Sequence, residues 1–127
     1  CEENAEAEGV TERTKFIRAR VGKIPVPDET FDLVVSNMTF HEVKDGRDKT
    51  DAVREALRVL KKGGTFAFQD LFFVKAYFGM PDTLLAAVRE AGVRDARLED
   101  TGSAAFIPRA LRFPFMLGKT GVLYGKK

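Results

Sequence analysis

The sequence predicts one α/β domain over residues 1–127, and three observations carry that expectation. The run "FDLVVSN" (Phe31 to Asn37) is almost wholly apolar and β-branched, the texture of a strand buried on both faces of a parallel sheet. "TFAFQDLFFV" (Thr65 to Val74) has the same character. Segments of helical periodicity lie between and after these runs, an alternation that winds strands through crossovers.

Taken in order, "CEENAEAEG" reads as the end of a helix stopped at Gly9, because glycine takes the left-handed conformation that closes helices. With Cys rather than Met at its start, the chain reads as a processed or excised piece. "KFIRARV" (Lys15 to Val21) alternates polar and apolar residues and predicts a short strand. "GKIPVPDET", with two prolines and an Asp-Glu-Thr turn, predicts a loop. From Asp48 to Lys62, Ala52, Leu57, Val59 and Leu60 mark the apolar stripe of a helix, with Arg54, Glu55, Arg58, Lys61 and Lys62 on its wet side. Gly63-Gly64 is expected to end that helix, after lysines that suit its dipole. Pro81-Asp82 opens another helix that stops at Gly92. "RDARLEDTG" and "GKTGVLYGKK" predict two final strands, hairpin-like, with a loop and a short helix in "FIPRALRFP" between them.

Composition narrows the class. A chain 44% hydrophobic and 31% charged is an ordinary globular protein, able at 127 residues to bury roughly two thirds of its unfolded surface. Net charge +2 argues against a whole-molecule attraction to nucleic acid or membrane. No apolar stretch approaches the roughly 18 residues of a membrane span, and no signal-peptide pattern opens the chain. The one cysteine, Cys1, forms no internal disulfide, and no Cys/His cluster suggests a metal site, which together predict a cytoplasmic setting.

Three stretches, in order and spacing, carry a resemblance: "NAEAEGV", "IPVPDETFDLVVSNMTFHEV" and "REALRVLKKGGTFAFQD". They resemble the class I S-adenosylmethionine-dependent methyltransferases, particularly the small-molecule type, from Asn4 to about Asp70. The proline-rich loop before "FDLVVS" and the R-x-L-x-x-G-G junction are the most specific parts. The resemblance implies a three-layer Rossmann-like sheet, mainly parallel with an antiparallel last strand, N-terminally truncated in this chain. It also implies S-adenosylmethionine bound at the carboxyl ends of the strands, the usual ligand position in open α/β sheets.

The family's glycine-rich loop after its first strand and its ribose-holding acid after the second have no counterpart in these residues, which predicts impaired cofactor binding. Without those two strands a central strand becomes an edge, and an apolar edge invites pairing. Either Lys15 to Val21 is displaced or re-paired, or a second chain fills the gap; a homodimer through that edge is the partner expectation.

Methyl transfer is an in-line displacement that draws on orientation and desolvation, with a base added where the acceptor carries a proton. The resemblance turns Ser36, Asn37, Met38, Thr39, Phe40 and His41 toward the methyl group. His41, the only histidine, is the candidate base; its bland alternative is a ring fixed by a backbone hydrogen bond at a helix start. Glu42 is the other titratable candidate, or else a solvated first-turn acid. Ser36 and Asn37 hold the cofactor's amino-acid portion or cap the strand. Arg20 stands where the family usually carries an acid for the adenine amino group. A guanidinium has no acceptor lone pair, so stacking is what remains to it, with Val21 supplying a backbone amide and an apolar wall. Thr39, Phe40, Phe73 and Tyr77 are the expected acceptor pocket. They sit among Phe72, Phe78, Phe106, Phe113 and Phe115, for which core packing is the alternative. Asp32, inside the apolar run, is expected to bond nearby loop amides. After Asp100 only basic charges remain, a solvated tail or a guide for an anionic substrate.

The expected function is S-adenosylmethionine-dependent methyl transfer to a small-molecule acceptor. The rival is a non-catalytic, methyltransferase-like module that completes its sheet with a partner chain. No G-x-S-x-G elbow or P-loop points to another doubly wound fold.

Overall fold

A computed structural model of the chain describes residues 1–20, 22–44, 49–113 and 117–127. Helix α1 (Glu2–Ala7) ends as expected, with Gly9 at φ +64 and the Val10 amide returning to the Ala5 carbonyl. Strands β1 (Phe31–Asn37), β2 (Leu60–Asp70), β3 (Asp95–Asp100) and β4 (Gly121–Lys126) then form one four-stranded sheet in the order β1-β2-β4-β3. β1 runs parallel to β2, and β4 lies antiparallel between β2 and β3. This is the Rossmann-like sheet with an antiparallel last strand that the sequence predicts.

Helices α2 (Thr50–Arg58) and α4 (Pro81–Glu90) pack on one face of the sheet, and the short α3 (Lys75–Phe78) follows the carboxyl end of β2. Ala52, Val53, Ala56 and Leu57 of α2 share a core with Leu84 and Val88 of α4, Phe66 and Phe68 of β2, and Leu123 of β4. Phe66 and Phe68 sit with ring centroids 5.0 Å apart, and Phe40 meets Phe68 edge-on at 5.1 Å. Full burial of each such ring contributes roughly 1.5–3 kcal/mol.

Strand alternation puts Thr65 and Ala67 of β2 on the opposite face, where they are exposed. The same face of β1 carries Leu33 and Val35, 59% and 68% exposed. β1 was expected to be buried on both faces; instead Val34 alone of its aliphatic residues packs against the core. The physical reason is that α2 and α4 both pack on the other face, which leaves Thr65 and Ala67 of the internal strand β2 exposed here as well.

Lys15 to Val21 also departs from expectation. Val21 lies outside the described residues, and 15–20 form no strand; the segment has only the isolated Arg20–Lys23 bridge. A strand needs a neighbour to bond, and the chain here is drawn to the end of α2 instead. Glu55 accepts the Ile24 amide at 2.7 Å. Arg58 donates to the carbonyls of Ile24 and Val26 at 3.0 Å and to Asp28 at 2.5 Å. Displacement of the segment from the sheet is one of the outcomes expected from the sequence.

The helix expected to reach Lys62 ends at Arg58, and Gly63-Gly64 lies inside β2 rather than stopping a helix. The pairing of β1 with β2 jumps from Phe31–Leu60 to Leu33–Thr65, so the glycines absorb a bulge. At Gly64 a Cβ would stand 2.6 Å from Leu60 Cδ1 and 2.9 Å from the Asp32 carbonyl oxygen, which excludes a side chain. Lys61 thereby sits on the strand and donates to Asp32 at 2.8 Å. Asp32 is thus an exposed carboxylate paired with lysine, not one bonded to loop amides as expected. β2 also stops at Asp70 instead of Val74, as the chain turns out of the sheet at Leu71.

The one-sided core makes a contrast testable by urea unfolding. Phe68→Ala should lower stability by about 3–5 kcal/mol, while Leu33→Ala on the open face should change it by no more than about 0.5 kcal/mol. The loop anchor has a pH signature. Arg58, bonded to the Glu55 carboxylate, and the Ile24 amide hold that carboxyl below its ordinary value of 4.5, against the opposing effect of burial. A depressed carboxyl contributes stability above its unfolded value and loses it as pH falls through the folded one. Glu55→Gln should therefore be less stable than the parent at pH 7, by about 1 kcal/mol, and the gap should close as pH drops below 4.5.

Candidate functional site

The parallel strands β1 and β2 deliver Asn37 and Asp70 to the same end of the sheet. There the chain turns sharply. Met38 takes φ +51, a left-handed conformation that costs a side chain roughly 1–2 kcal/mol, and its amide bonds the Gln69 carbonyl at 2.8 Å. The turn leads into a 3-10 helix, Phe40–Glu42, laid across the end of β2.

Asp70 receives that turn. Its side chain has no solvent exposure, and Oδ2 accepts the amides of Thr39 at 3.1 Å and Phe40 at 2.7 Å. Oδ1 accepts the Leu71 amide at 2.7 Å and faces His41 Nδ1 at 2.7 Å. His41 Nε2 lies 3.1 Å from Oε1 of Glu42, an exposed carboxylate. The imidazole is stacked at 6.4 Å on the ring of Tyr77, whose carbonyl accepts the Lys49 amide at 3.0 Å. Lys49 Nζ in turn donates to the Val43 carbonyl. His41 was weighed as a ring fixed by a backbone bond; a buried carboxylate holds it instead.

The other predicted residues divide. Ser36 and Asn37 alternate to opposite faces, Ser36 beside Phe68 on the covered face and Asn37 beside Gln69 on the open one. Thr39 is exposed, and its hydroxyl donates to the Asn37 carbonyl at 3.0 Å. Phe40, expected in an acceptor pocket, is core: it is 4% exposed and edge-on to Phe68, drawn inward by the same turn that gives its amide to Asp70. Phe73 is half-buried with its ring against Gly121, and Tyr77 is half-buried beside His41. Phe72 and Phe78 are fully buried, whereas Phe106 is 79% exposed. Val21 and Phe115 lie outside the described residues.

Arg20 is not brought to this end. It bridges to Lys23, whose neighbour Ile24 is tied to Glu55 near the amino end of β1, the far end from Asn37. The seven residues of β1 separate the two ends, about 20 Å at the usual strand rise. A groove of about 580 Å³ also lies at the amino ends, lined by Arg54, Glu55, Arg58, Lys62 and Glu90. Its charges largely pair with one another, so the strand ends near His41 remain the better candidate.

Asp70 is the residue that sequence reasoning missed. Its signal was present: an acid in the apolar run "TFAFQDLFFV", where a buried charge demands partners. Asp32 carries the same signal in its own apolar run but is exposed.

Two polar side chains at these strand ends could hold part of a polar ligand. Among the described residues, neither the Ser36 hydroxyl nor the Asn37 amide has a hydrogen-bond partner, so both are available to a polar ligand group at these strand ends. Among the described residues no group of three or more His, Cys, Asp or Glu is placed to hold a metal ion, and no helix is long and apolar enough to cross a membrane.

Comparison with known proteins gives the family. The sequence profile of the methyltransferase domain matches residues 1–68. The ubiquinone/menaquinone biosynthesis C-methyltransferase UbiE of Ectopseudomonas mendocina is 32% identical over 102 residues, 80% of this chain and 32% of the relative. The U6 snRNA (guanine-N(2))-methyltransferase THUMPD2 of Mus musculus is 32% identical over 63 residues, 49% of this chain and 12% of the relative. This chain therefore spans about a third or less of these curated relatives. Among solved structures, geranyl diphosphate methyltransferase in complex with S-adenosylmethionine superposes with a TM-score of 0.68 at 11% identity, covering 98% of this chain and 62% of that one, a likeness of fold. The profile match over more than half of the residues and the matching sheet lead to one conclusion: the chain belongs to the S-adenosylmethionine-dependent methyltransferase domain family.

Proposed function

We propose that this protein takes part in methyl transfer from S-adenosylmethionine to a small-molecule acceptor at the carboxyl ends of β1 and β2, with His41 as the base. The observation that carries the reading is the placement at one strand end of two unspent polar side chains, Ser36 and Asn37 on either face of β1, and of the chain's one histidine, braced from behind. The cofactor supplies an electrophilic methyl group on a sulfonium. Asn37 and Ser36 bind its amino-acid end, Thr39, Phe73 and Tyr77 border the acceptor, and His41 Nε2 takes the proton that a hydroxyl or amine acceptor must lose. A near-neutral chain supports a small acceptor over a nucleic acid. UbiE-like relatives point the same way, whereas THUMPD2 acts on RNA. The unpaired Cys1 suits a cytoplasmic setting.

The described residues offer unspent groups for one end of the cofactor, so this chain alone should bind it weakly. Calorimetric titration should give a dissociation constant no tighter than the millimolar range, about −4 kcal/mol, and Asn37→Ala should weaken it further. Tight one-to-one binding that Asn37→Ala leaves unchanged would sink the reading.

The exposed edge favours a second reading, in which the chain completes its sheet with a second copy. About Val34, antiparallel pairing of two β1 strands sets Leu33 against Val35 and Asp32 against Ser36, so no like charges face each other. Sedentation of the chain by analytical ultracentrifugation should then show a dimer that Val35→Lys converts to monomer; a monomer at every concentration removes this reading.

A further inference from the structure

We propose that Asp70 is a positioning residue whose buried carboxylate keeps the proton of His41 on Nδ1, so that the Nε2 lone pair faces outward to receive the acceptor's proton. Its catalytic sense rests on the methyl-transfer reading, but its geometry does not. Three of the four groups on Asp70 are the backbone amides of Thr39, Phe40 and Leu71, which can only donate. The carboxylate is thus set up as an acceptor, and the fourth group, Nδ1 at 2.7 Å, completes the set by donating as well. A neutral imidazole has one donor and one acceptor nitrogen, so a proton on Nδ1 leaves Nε2 as the acceptor.

Two further features serve the same end. The left-handed backbone at Met38 is a local cost borne where the chain must aim the Thr39 and Phe40 amides at Asp70. The Tyr77 ring flanks the imidazole, whose side chain is 15% exposed, and limits its rotation. Glu42 Oε1, 3.1 Å from Nε2, is itself an acceptor, so with the proton on Nδ1 this 75% exposed side chain turns to water to open Nε2 to the methyl acceptor and returns once the ring is protonated. During transfer the bond from methyl to sulfur breaks with its electron pair left on sulfur, the bond to the acceptor forms, and the acceptor's proton goes to Nε2. The protonated ring then passes that proton to the Glu42 carboxylate at 3.1 Å, 75% exposed, and so to water, while the Nδ1 proton stays on Asp70's side.

Because His41 is the only histidine, nitrogen-15 NMR of this chain reads its two ring nitrogens without ambiguity and without cofactor or acceptor. With the ring neutral, the expected result is a proton predominantly on Nδ1 in the parent. Glu42→Gln should leave it there. Asp70→Asn, whose amide can donate toward the ring, should move it to Nε2. A parent ring protonated mainly on Nε2 would overturn the proposal, as would a folded Asp70→Asn with the proton still on Nδ1. Should Asp70→Asn fail to fold, the parent and Glu42→Gln spectra decide alone. No methyl acceptor enters the measurement, so its failure leaves methyl transfer standing, and an inactive chain leaves the tautomer result standing.

Discussion

The register of β2 is the constraint on which the rest of the structure depends. Phe66, Phe68 and Asp70 follow one another at a spacing of two and therefore stand on one face. The two rings seat the sheet against α2 and α4. The carboxylate, next on the same face, emerges where the core ends and the strand end begins. A slip of one residue would turn the rings to solvent and Asp70 to the open face. The packing that stabilises the domain thus also places the group that gathers the turn after β1. Core and site are consecutive positions of one strand.

That coupling explains which parts of the molecule were legible in sequence. Helices with a clear apolar stripe, such as Pro81–Glu90, and the closing strand pair appear where periodicity put them. Helix α1 stops at the glycine expected to stop it. Periodicity failed where a local rule had two physical solutions. Gly63-Gly64 fits a helix stop and also a strand bulge, and only the approach of Asp32 and Leu60 to Gly64 selects the bulge. The texture of "FDLVVSN" was legible, but whether its outer face is covered depends on neighbours absent from the run itself. His41 was recognisable from residue type alone, as the lone histidine past a strand end. Its carboxylate partner, 29 residues away in sequence, was not, since pairing at that range is set by strand register.

The two faces of the sheet ask different things of their residues. The covered face buries phenylalanine, leucine and alanine and, among the described residues, one charge, Asp70, fully satisfied by hydrogen bonds. The open face mixes Leu33, Val35 and Ala67 with Arg97, Glu99 and Tyr124. The Tyr124 hydroxyl donates to Glu99 at 2.5 Å, and that hydrogen bond, with the nearby negative charge, raises the phenol above its ordinary value while Arg97 opposes it. An ion-bonded tyrosine beside bare aliphatic residues is the composition of a surface that tolerates both water and contact. It belongs to the β3–β4 side, whereas the aliphatic residues concentrate on β1, so the apolar part of the face coincides with the unpaired edge.

Methyl transfer asks a protein for two separable things, a hold on the sulfonium cofactor and a route for the acceptor's proton. In the proposed reading of this chain the second is the more completely represented. Asp70 and its four bonds, the left-handed turn at Met38 and the Tyr77 ring hold His41 in place from the buried end of β2, and the outward Glu42 links the ring to solvent. The first is represented by two free side chains on opposite faces of one strand. A proton route can be assembled from neighbours on two adjacent strands because it needs only contacts of about 3 Å. A nucleotide-bearing cofactor spans a longer stretch of strand ends and loops and draws on more of a sheet than β1 and β2 provide. The distribution of built and unbuilt parts follows from that difference in reach.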